Sequence, residues 1–439
     1  MAKKIISALD IGSSKICAVI ASVEESGKPQ VIGVATHPSN GLKKGIVVNI
    51  DEAIKSIAEC LEAAERMAGI TVSSVYASIS GKHITSTNNR GVVAISREEI
   101  GTDDVQRVLE SARTVSIPPS REILHVIPRE FLVDAQGGIK DPIGMSGTRL
   151  EVDCHIISAT TTSLHNLVKC IHQVGLGIDD IVFSSWAASG AVLTETEKEL
   201  GVMLLDIGGG TSGINIFVDD AISYSGCIPV GGNNITSDIA IGLRVSLDDA
   251  EKIKKSYASI LEKAVEQSQE SDKVPAVERK RASKKDEEKE EKGREEIIDI
   301  SSLGIPDLKE VFKPFLEEII EARLEEVFGL VNQQILQAGF ESSMPAGVVL
   351  TGGTALLPGI TKIAQRVLEV PARVGNPSGV TGLVDEISGP DYATVQGLLL
   401  YGVENEIQGG PAGTGFTQVA QVGTGVVGKV TELFKSLLP

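Results

Sequence analysis

Short apolar runs separated by glycine-rich turns recur along the chain, and they predict β-strands. Residues 4–10 and 15–22 are two such runs joined at a Gly-Ser turn, which is the pattern of a hairpin. A second hairpin is predicted at 202–218, where VMLLDIGGGTSGINIF repeats the order of the earlier ISALDIGSSKICAVI, roughly 196 positions away. Each copy is an apolar run, Asp-Ile-Gly, small residues ending in Ser or Thr, and a second apolar run. The repeat predicts two related halves.

Helical periodicity marks several of the segments between the apolar runs. In residues 51–69 apolar side chains recur at steps of three and four, and Gly69 is expected to end the helix. By the same signals we predict further helices and buried strands. The helices are expected at 161–174, 236–265, 307–338 and 357–369, and the strands at 31–36, 72–80 and 346–351.

Residues 84–161 have a different pattern of apolar and polar positions from the repeated halves. Strand-like runs surround one helix near 102–115, and Pro118-Pro119 follows that helix. This pattern predicts a compact α+β insert, separate from the two halves and away from any cleft between them.

Composition narrows the classes of function. A chain of 439 residues exceeds what one core serves, and 42% hydrophobic content with 46 glycines favours an α/β protein of several domains. The net charge of −18 argues against a nucleic-acid partner. Five widely spaced cysteines with no C-x-x-C pair indicate reduced thiols rather than a disulfide framework or a zinc site. No apolar run reaches the length of a signal peptide or of a membrane-spanning helix.

Two segments are too biased in composition to form a core. Residues from about 268 to 296 are almost entirely charged, of both signs, and are expected to be a disordered, solvated loop, although a basic cluster within them suits anionic lipid. Residues 405–425 are rich in glycine and are expected to be a flexible linker.

The twin hairpins carry the candidate chemistry. A tight turn of small residues between two strands lets backbone N–H groups converge on phosphate oxygens, although one such turn alone is usually structural. Asp10 and Asp206 end the first strand of each copy, where they are suited to hold Mg²⁺ through its waters. The residues assigned to phosphate binding are Gly12, Ser13, Ser14 and Lys15 in the first copy and Gly208, Gly209, Gly210, Thr211 and Ser212 in the second.

Two further patterns suit the rest of a nucleotide. Gly352, Gly353 and Thr354 lie between a buried strand and a helix start, where a glycine pair lets a flat base or ribose approach the backbone. Glu251 and Lys254 share one helix face, suited to ribose hydroxyls and an adenine edge, although such a pair taken alone is more often an ordinary surface pair. Gly232, in GGNN, joins this candidate set.

With these elements in this order, the chain resembles the FtsA family of bacterial cell-division proteins, within the actin, heat-shock chaperone and sugar-kinase ATPase superfamily. The phrases that carry the resemblance include LDIGSSKICAVI, LHVIPREFLVD, GGNNITSDIAIGLR and TGGTALLPGI. The resemblance covers about residues 5–265 and 300–403, plus the C-terminal tail. The resemblance implies an α/β, two-lobed, actin-like fold, a duplicated ribonuclease H-like unit. The implied division is lobe 1 at 1–83, 162–196 and 371–404, the insert at 84–161, lobe 2 at 197–232 and 331–370 with its subdomain 2B at 233–330, the linker at 405–425, and a membrane-targeting amphipathic helix at 426–439.

The resemblance also implies a function. ATP and Mg²⁺ would lie between the hairpins, and the protein would polymerise into filaments. It would bind the tubulin-like FtsZ through the lobe carrying 233–330, recruit later division proteins, and attach the ring to the cytoplasmic side of the membrane at the division site. The charged segment near 268–296 departs from the family pattern. The apolar stripe expected to enter the membrane is Val426, Val430, Leu433, Phe434, Leu437 and Leu438.

Hydrolysis is expected to be slow at most. Related ATPases place a water-orienting acid or amide before the second hairpin, and residues 181–186 hold neither. A sugar kinase would need an acidic base in a substrate cleft, and a heat-shock chaperone would need a large domain after position 403, where about 35 residues follow. The alternative that stays open is an ATP-binding scaffold of type IV pilus assembly, of the PilM kind.

Overall fold

The computed structural model describes residues 4–23, 27–257, 297–306, 308–340 and 344–407. The predictions for the charged segment at about 268–296, for the linker from residue 408 onward and for the amphipathic helix at 426–439 lie outside these residues.

Lobe 1 is built on a six-stranded sheet. Its strands are β1 (Lys4–Ile11), β2 (Lys15–Val23), β3 (Pro29–Pro38), β6 (Ser74–Ile79), β11 (Gly177–Phe183) and β19 (Thr381–Gly382). Their order is β11-β6-β1-β2-β3-β19. The first three form an antiparallel meander, and β6 and β11 continue it in parallel on the other side of β1. A small hairpin of β4 (Leu42–Lys43) and β5 (Ile46–Val47) lies outside this sheet.

Lobe 2 repeats the same topology. Its strands are β12 (Val202–Ile207), β13 (Ser212–Val218), β14 (Ala221–Ile228), β17 (Val348–Thr351) and β18 (Ala372–Val374). Again an antiparallel meander is followed by two parallel strands beside its first member. The duplicated unit that the twin hairpins predicted is therefore present in the described residues.

Helices cover both faces of the sheets. In lobe 1 the α1 residues Ile57 and Leu61 share a core with Leu9 of β1 on one face, and on the other Leu398 shares a core with Ile6 of the same strand. The helices are α1 (Ile50–Ala68), α2 (Thr102–Arg113), α3 (Thr161–Gln173), α4 (Ser184–Val192), α5 (Glu195–Leu200), α6 (Gly232–Leu243), α7 (247–257 in its described part), α8 (Lys313–Ala338), α9 (Ile360–Leu368) and α10 (Ala393–Ile407).

Helix α1 shows how local sequence sets the bounds of an element. The Asn49 side chain accepts a hydrogen bond from the N–H of Glu52, which caps the first turn. At the other end Gly69 adopts a left-handed conformation with φ 67°, and its N–H bonds to the carbonyl of Glu65. The prediction that this glycine ends the helix is confirmed.

Two predicted helices have different bounds in the structure. The helix expected at 236–265 is divided, because Arg244 takes a left-handed φ of 56° and ends α6 before Ser246 caps α7. The helix expected from 307 begins only at Lys313, after β16 (Glu310–Phe312), which pairs with β15 (Ile297–Asp299). Pro314 lacks an N–H and is best accommodated in a first helical turn, so the helix starts there.

The insert is an antiparallel sheet with one helix, as predicted, but it is not separate from the lobes. It contains β7 (Thr85–Ala94), β8 (Arg121–Val133), β9 (Gln136–Ile139) and β10 (Arg149–Thr160), with α2 on one face. Thr85 of β7 pairs with Gly226 of β14, so one nine-stranded sheet runs from lobe 2 into the insert. Sequence periodicity within the insert contains no information on this pairing.

Polar side chains reinforce this junction, which we call the insert seam (Ser86, Asn88, His155, Ser223 and Ser225). Ser86 Oγ donates to the carbonyl of Ser225 (2.8 Å) and accepts from its N–H (2.9 Å). The His155 ring lies between Asn88 Oδ1 (2.7 Å) and Ser225 Oγ (3.0 Å). Burial lowers the pKa of His155 to about 3, so the imidazole is neutral. The hydrogen bonds that His155 makes across the seam are therefore between neutral groups, whereas Ser223 Oγ accepts one from the Arg129 guanidinium (2.9 Å).

A buried carboxylate lies on β11, an edge strand of the six-stranded sheet of lobe 1. Asp180 of β11 is 2% exposed, and it accepts hydrogen bonds from the Tyr401 hydroxyl (2.6 Å) and from the N–H of Ile181 (2.7 Å). Burial outweighs these bonds and raises the pKa of Asp180 to about 7.

We predict that this group makes stability depend on pH. The unfolded chain releases the Asp180 proton near pH 4 and the folded chain near pH 7, so the unfolded state holds fewer protons between these values. The free energy of unfolding should therefore fall by roughly 2–4 kcal/mol from pH 4 to pH 7 through this group. Melting temperatures from pH 5 to pH 8 should decline less in Asp180→Asn than in the parent. The exposed Asp51→Asn is the control, and equal slopes in all three proteins would contradict the prediction.

Candidate functional site

A cavity of about 540 Å³ lies between the two lobes. Both hairpin turns border it, and so do α7, the start of α6 and the segments after β17 and before α10. None of the insert's residues, all of which the structure describes, lines it. Of the residues that the sequence assigned to nucleotide binding, all but Gly210 and Ser212 line this cavity: Asp10, Gly12, Ser13, Ser14, Lys15, Asp206, Gly208, Gly209, Thr211, Gly232, Glu251, Lys254, Gly352, Gly353 and Thr354.

The two hairpin turns have matching geometry. The N–H of Gly12 donates to the carbonyl of Lys15 (3.1 Å), and the N–H of Gly208 donates to that of Thr211 (2.9 Å). A Cβ at Gly12 would lie 2.7 Å from the Lys15 carbonyl oxygen, so this turn requires glycine. Each turn thus presents small residues to the same cavity.

The first-strand carboxylates are buried at the base of the cavity. Asp10 accepts a hydrogen bond from the Ser78 hydroxyl (2.7 Å), yet burial raises its pKa. Burial, followed by the charge of Asp10, raises the pKa of Asp206 to about 7. Two mutually repelling buried carboxylates are stabilised in their charged forms by a cation, so this donor set fits Mg²⁺ with its waters.

The two turns approach each other closely. A Cβ at Gly209 would lie 2.6 Å from Ser14 Cβ, and one at Gly210 would lie 2.9 Å from Ser13 Cβ. Gly210, outside the cavity wall, is therefore a contact between the hairpins. Ser212 is also outside it, because its hydroxyl donates to the Val230 carbonyl (2.8 Å).

The carbonyls of the second turn are bound by two neighbouring segments. The Gly208 carbonyl accepts from the N–H of Gly232 (2.9 Å) and from the Thr354 hydroxyl (3.1 Å). The Gly209 carbonyl accepts from the N–H of Asn233 (2.7 Å). These hydrogen bonds fix the start of α6 and the segment after β17 to the second hairpin turn.

Glu251 and Lys254 form an ion pair of 2.6 Å on one face of α7. The Lys254 ammonium also donates to Thr236 Oγ1 (2.8 Å) and to the Gly232 carbonyl (3.2 Å), and its side chain is 11% exposed. The pair is therefore part of the cavity wall and not a surface pair.

The two glycines after β17 differ in what they require. Gly352 has a φ of +83°, and a Cβ there would lie 2.4 Å from Asp206 Oδ1. Gly352 lets the backbone pass the buried carboxylate. The contact with a base or ribose that the sequence suggested stays a prediction. A Cβ at Gly353 would meet only Asp391 Cβ, at 3.7 Å.

Sequence reasoning missed several polar cavity residues. Asp391 contacts Lys15 at 2.6 Å, and Thr394 donates to Asp206 (3.4 Å). Nothing in the local pattern of GPDY signals this contact, because Lys15 lies 376 positions away. Asn233, by contrast, follows a Gly-Gly pair at a helix start, which is a recognisable signal. Ser80, Ser184 and Lys255 also line the cavity.

Comparisons with known proteins identify the family. A family model described as an SHS2 domain inserted in FTSA matches residues 81–158, and one described as cell division protein FtsA matches residues 203–397. The cell division protein FtsA of Pseudomonas aeruginosa is 39% identical over 406 residues, which cover 92% of this chain and 91% of the relative. The chain belongs to the FtsA family of cell division proteins. The cell division protein FtsA of Escherichia coli K12 is 36% identical over 414 residues, which cover 93% of this chain and 92% of that relative.

A solved structure agrees on the fold. A chain of the PilM-PilN type IV pilus biogenesis complex superposes with a TM-score of 0.60 over 92% of this chain and 99% of that one, at 16% identity. This likeness is one of fold, and the sequence identities place the chain with FtsA rather than with PilM. The predicted actin-like α/β fold and its insert are confirmed. Within the described residues, every helix is too short or too polar to span a bilayer.

We predict that Gly209→Val abolishes ATP binding. The valine Cβ would lie 2.6 Å from Ser14 Cβ and 3.1 Å from Asn233 Oδ1, so the side chain must separate the turns and intrude on the predicted phosphate position. Calorimetric titration with Mg·ATP should show at least a 100-fold loss of affinity, about 2.7 kcal/mol.

The matched control is Gly329→Val in α8, where a Cβ meets no atom within 4 Å. It should bind like the parent. Parental ATP affinity in a Gly209→Val protein that melts normally would refute the two-turn site.

Proposed function

We propose that this FtsA-family chain binds Mg·ATP between its lobes, polymerises as an actin-like cytoskeletal protein, binds FtsZ and tethers the division ring to the membrane. The observation that carries the proposal is the pair of matching turns, each preceded by a buried carboxylate, that face one cavity. The membership in a cell-division family supplies the context.

Each part of the nucleotide has candidate partners in the cavity. The backbone and hydroxyls of the two turns and the Lys15 ammonium suit the phosphates, and the Glu251–Lys254 pair suits the ribose and base edge. Bound Mg²⁺ would neutralise phosphate charge beside Asp10 and Asp206. Of residues 181–186, Ser184 borders the cavity and offers a hydroxyl rather than a carboxylate or amide. We therefore expect slow hydrolysis at most.

The proposed FtsZ surface is on subdomain 2B. Helices α6, α7 and α8 expose apolar side chains there, which is common at protein-binding sites. Ile241 is 77% exposed, Leu247 59% and Phe315 40%. An apolar peptide segment of FtsZ is the partner that these side chains suit.

We predict that Ile241→Glu weakens FtsZ binding about tenfold or more, because a charge replaces an apolar contact. Fluorescence anisotropy with a labelled FtsZ C-terminal peptide measures the loss. Leu200→Glu, at a 58% exposed apolar position of α5, is the control and should bind like the parent. An equal loss of FtsZ-peptide affinity in both variants would contradict a specific FtsZ-binding surface on subdomain 2B.

The membrane contact is proposed for residues 426–439. These fourteen residues are too few to form a stable helix in water, so folding should accompany insertion of the apolar stripe. At roughly 5–6 Å × √n, a tether of some twenty residues spans about 25 Å, enough to reach a bilayer beside the lobes. One copy should bind weakly, and a filament that presents many copies should bind on the order of 100-fold more tightly.

We predict that Leu433→Asp releases the protein from anionic liposomes and leaves ATP binding intact. Ser436→Asp adds the same charge beside the stripe and should retain most binding. Flotation with FtsZ, with and without ATP, measures tethering and assembly together. If Leu433→Asp floats as well as Ser436→Asp does, the tail is not the anchor.

A further inference from the structure

Lys15 is held from two sides by one short turn. Its ammonium lies 2.6 Å from Asp391 Oδ2 and 3.7 Å from the centroid of the Tyr392 ring. Burial opposes its charge and is the largest single effect, but the charge and hydrogen bond of Asp391, with smaller contributions from Cys17 and Tyr392, together raise the pKa of Lys15. The ammonium is therefore fully charged, and its flexible stem is restricted to one place.

The turn that holds it is itself anchored from lobe 2. Pro390–Tyr392 forms a 3-10 turn just before α10. The Pro390 carbonyl accepts hydrogen bonds from the N–H of Gly352 (3.0 Å) and from the Thr351 hydroxyl (3.0 Å), both at the end of β17. The backbone beside Asp391 is thus fixed by hydrogen bonds, and the Asp391 carboxylate holds the Lys15 ammonium by an ion pair.

The held ammonium still has capacity for a ligand. An ammonium has three N–H donors, and one of them bonds to Asp391. The Tyr392 ring makes a cation–π contact with the same group. Lys15 and Asp391 both line the cavity, and the Lys15 side chain is 30% exposed. A free lysine loses rotamer entropy when it binds a phosphate, and this lysine has lost it beforehand.

We propose that Asp391, together with the ring of Tyr392, is a positioning residue that holds the Lys15 ammonium where it donates to the phosphates of the bound nucleotide. The inference rests on the proposed ATP binding and extends it. Asp391 acts only through Lys15, so its removal should affect ligands that carry phosphate and leave phosphate-free ligands unchanged. A carboxylate that instead withheld Lys15 from the nucleotide would lower affinity, and its removal would raise it.

Calorimetric titration of the full chain with Mg·ATP and with adenosine tests the proposal. Asp391→Asn keeps the size of the side chain and removes its charge. We expect it to weaken ATP binding about tenfold and to leave adenosine affinity unchanged. In a Lys15→Met background the same substitution should cause no further loss, because the cation it positions is gone. Asp385→Asn, an exposed acid six residues earlier, is the matched control.

A second pair of variants keeps the test decisive if Asp391→Asn does not fold. Tyr392→Leu removes the ring beside the ammonium and should weaken ATP binding roughly threefold, with adenosine again unchanged. Tyr392→Phe keeps the ring and should restore the affinity. Melting curves of all variants accompany the titrations.

The outcomes separate this inference from the proposed function. If the parent does not bind ATP, the proposed function of the cavity fails. If the parent binds ATP and the Asp391 variant binds it equally or more tightly, the positioning role is overturned while the function stands. Equal losses for ATP and adenosine would also overturn it, because they indicate a general structural role.

Discussion

The close approach of two backbone turns determines the rest of the site. Gly209 faces Ser14 with no room for a side chain between them, and Gly352 passes equally close to Asp206. These contacts bring both buried carboxylates and both turns to one cavity. Hydrogen bonds from Gly232 and Thr354 to the Gly208 carbonyl also fix the second turn. A larger side chain at Gly209 or Gly210 would therefore force the two turns apart.

Local patterns predicted those parts of the fold whose causes are local. The twin hairpins, the end of α1 at Gly69 and the shared face of Glu251 and Lys254 follow from short-range periodicity, capping and turn chemistry. The duplicated topology followed from the repeated hairpin, because like sequences form like units. Most of the cavity wall was predicted from the two hairpins and from the glycine and helix-face patterns of later segments.

Other features arise from contacts between segments that are distant in sequence. The left-handed Arg244 that divides α6 from α7 has no glycine or proline to signal it. The pairing of Thr85 with Gly226, and of Lys15 with Asp391, joins strands and turns whose own patterns are satisfied without each other. Periodicity indicates which face of an element is buried, and it does not identify the partner that buries it.

The insert seam has a mechanical consequence. The insert is joined covalently to lobe 1 at both ends, near residues 84 and 161, and by hydrogen bonds to β14 of lobe 2. It therefore links the two lobes at a place outside the cavity. Any rotation that widens the cleft must either break bonds at Ser225 or tilt the insert with lobe 2 and bend its two connections to lobe 1. A small angular change at the cleft would then become a larger displacement at β9, the strand of the insert that lies furthest from β14 in the nine-stranded sheet.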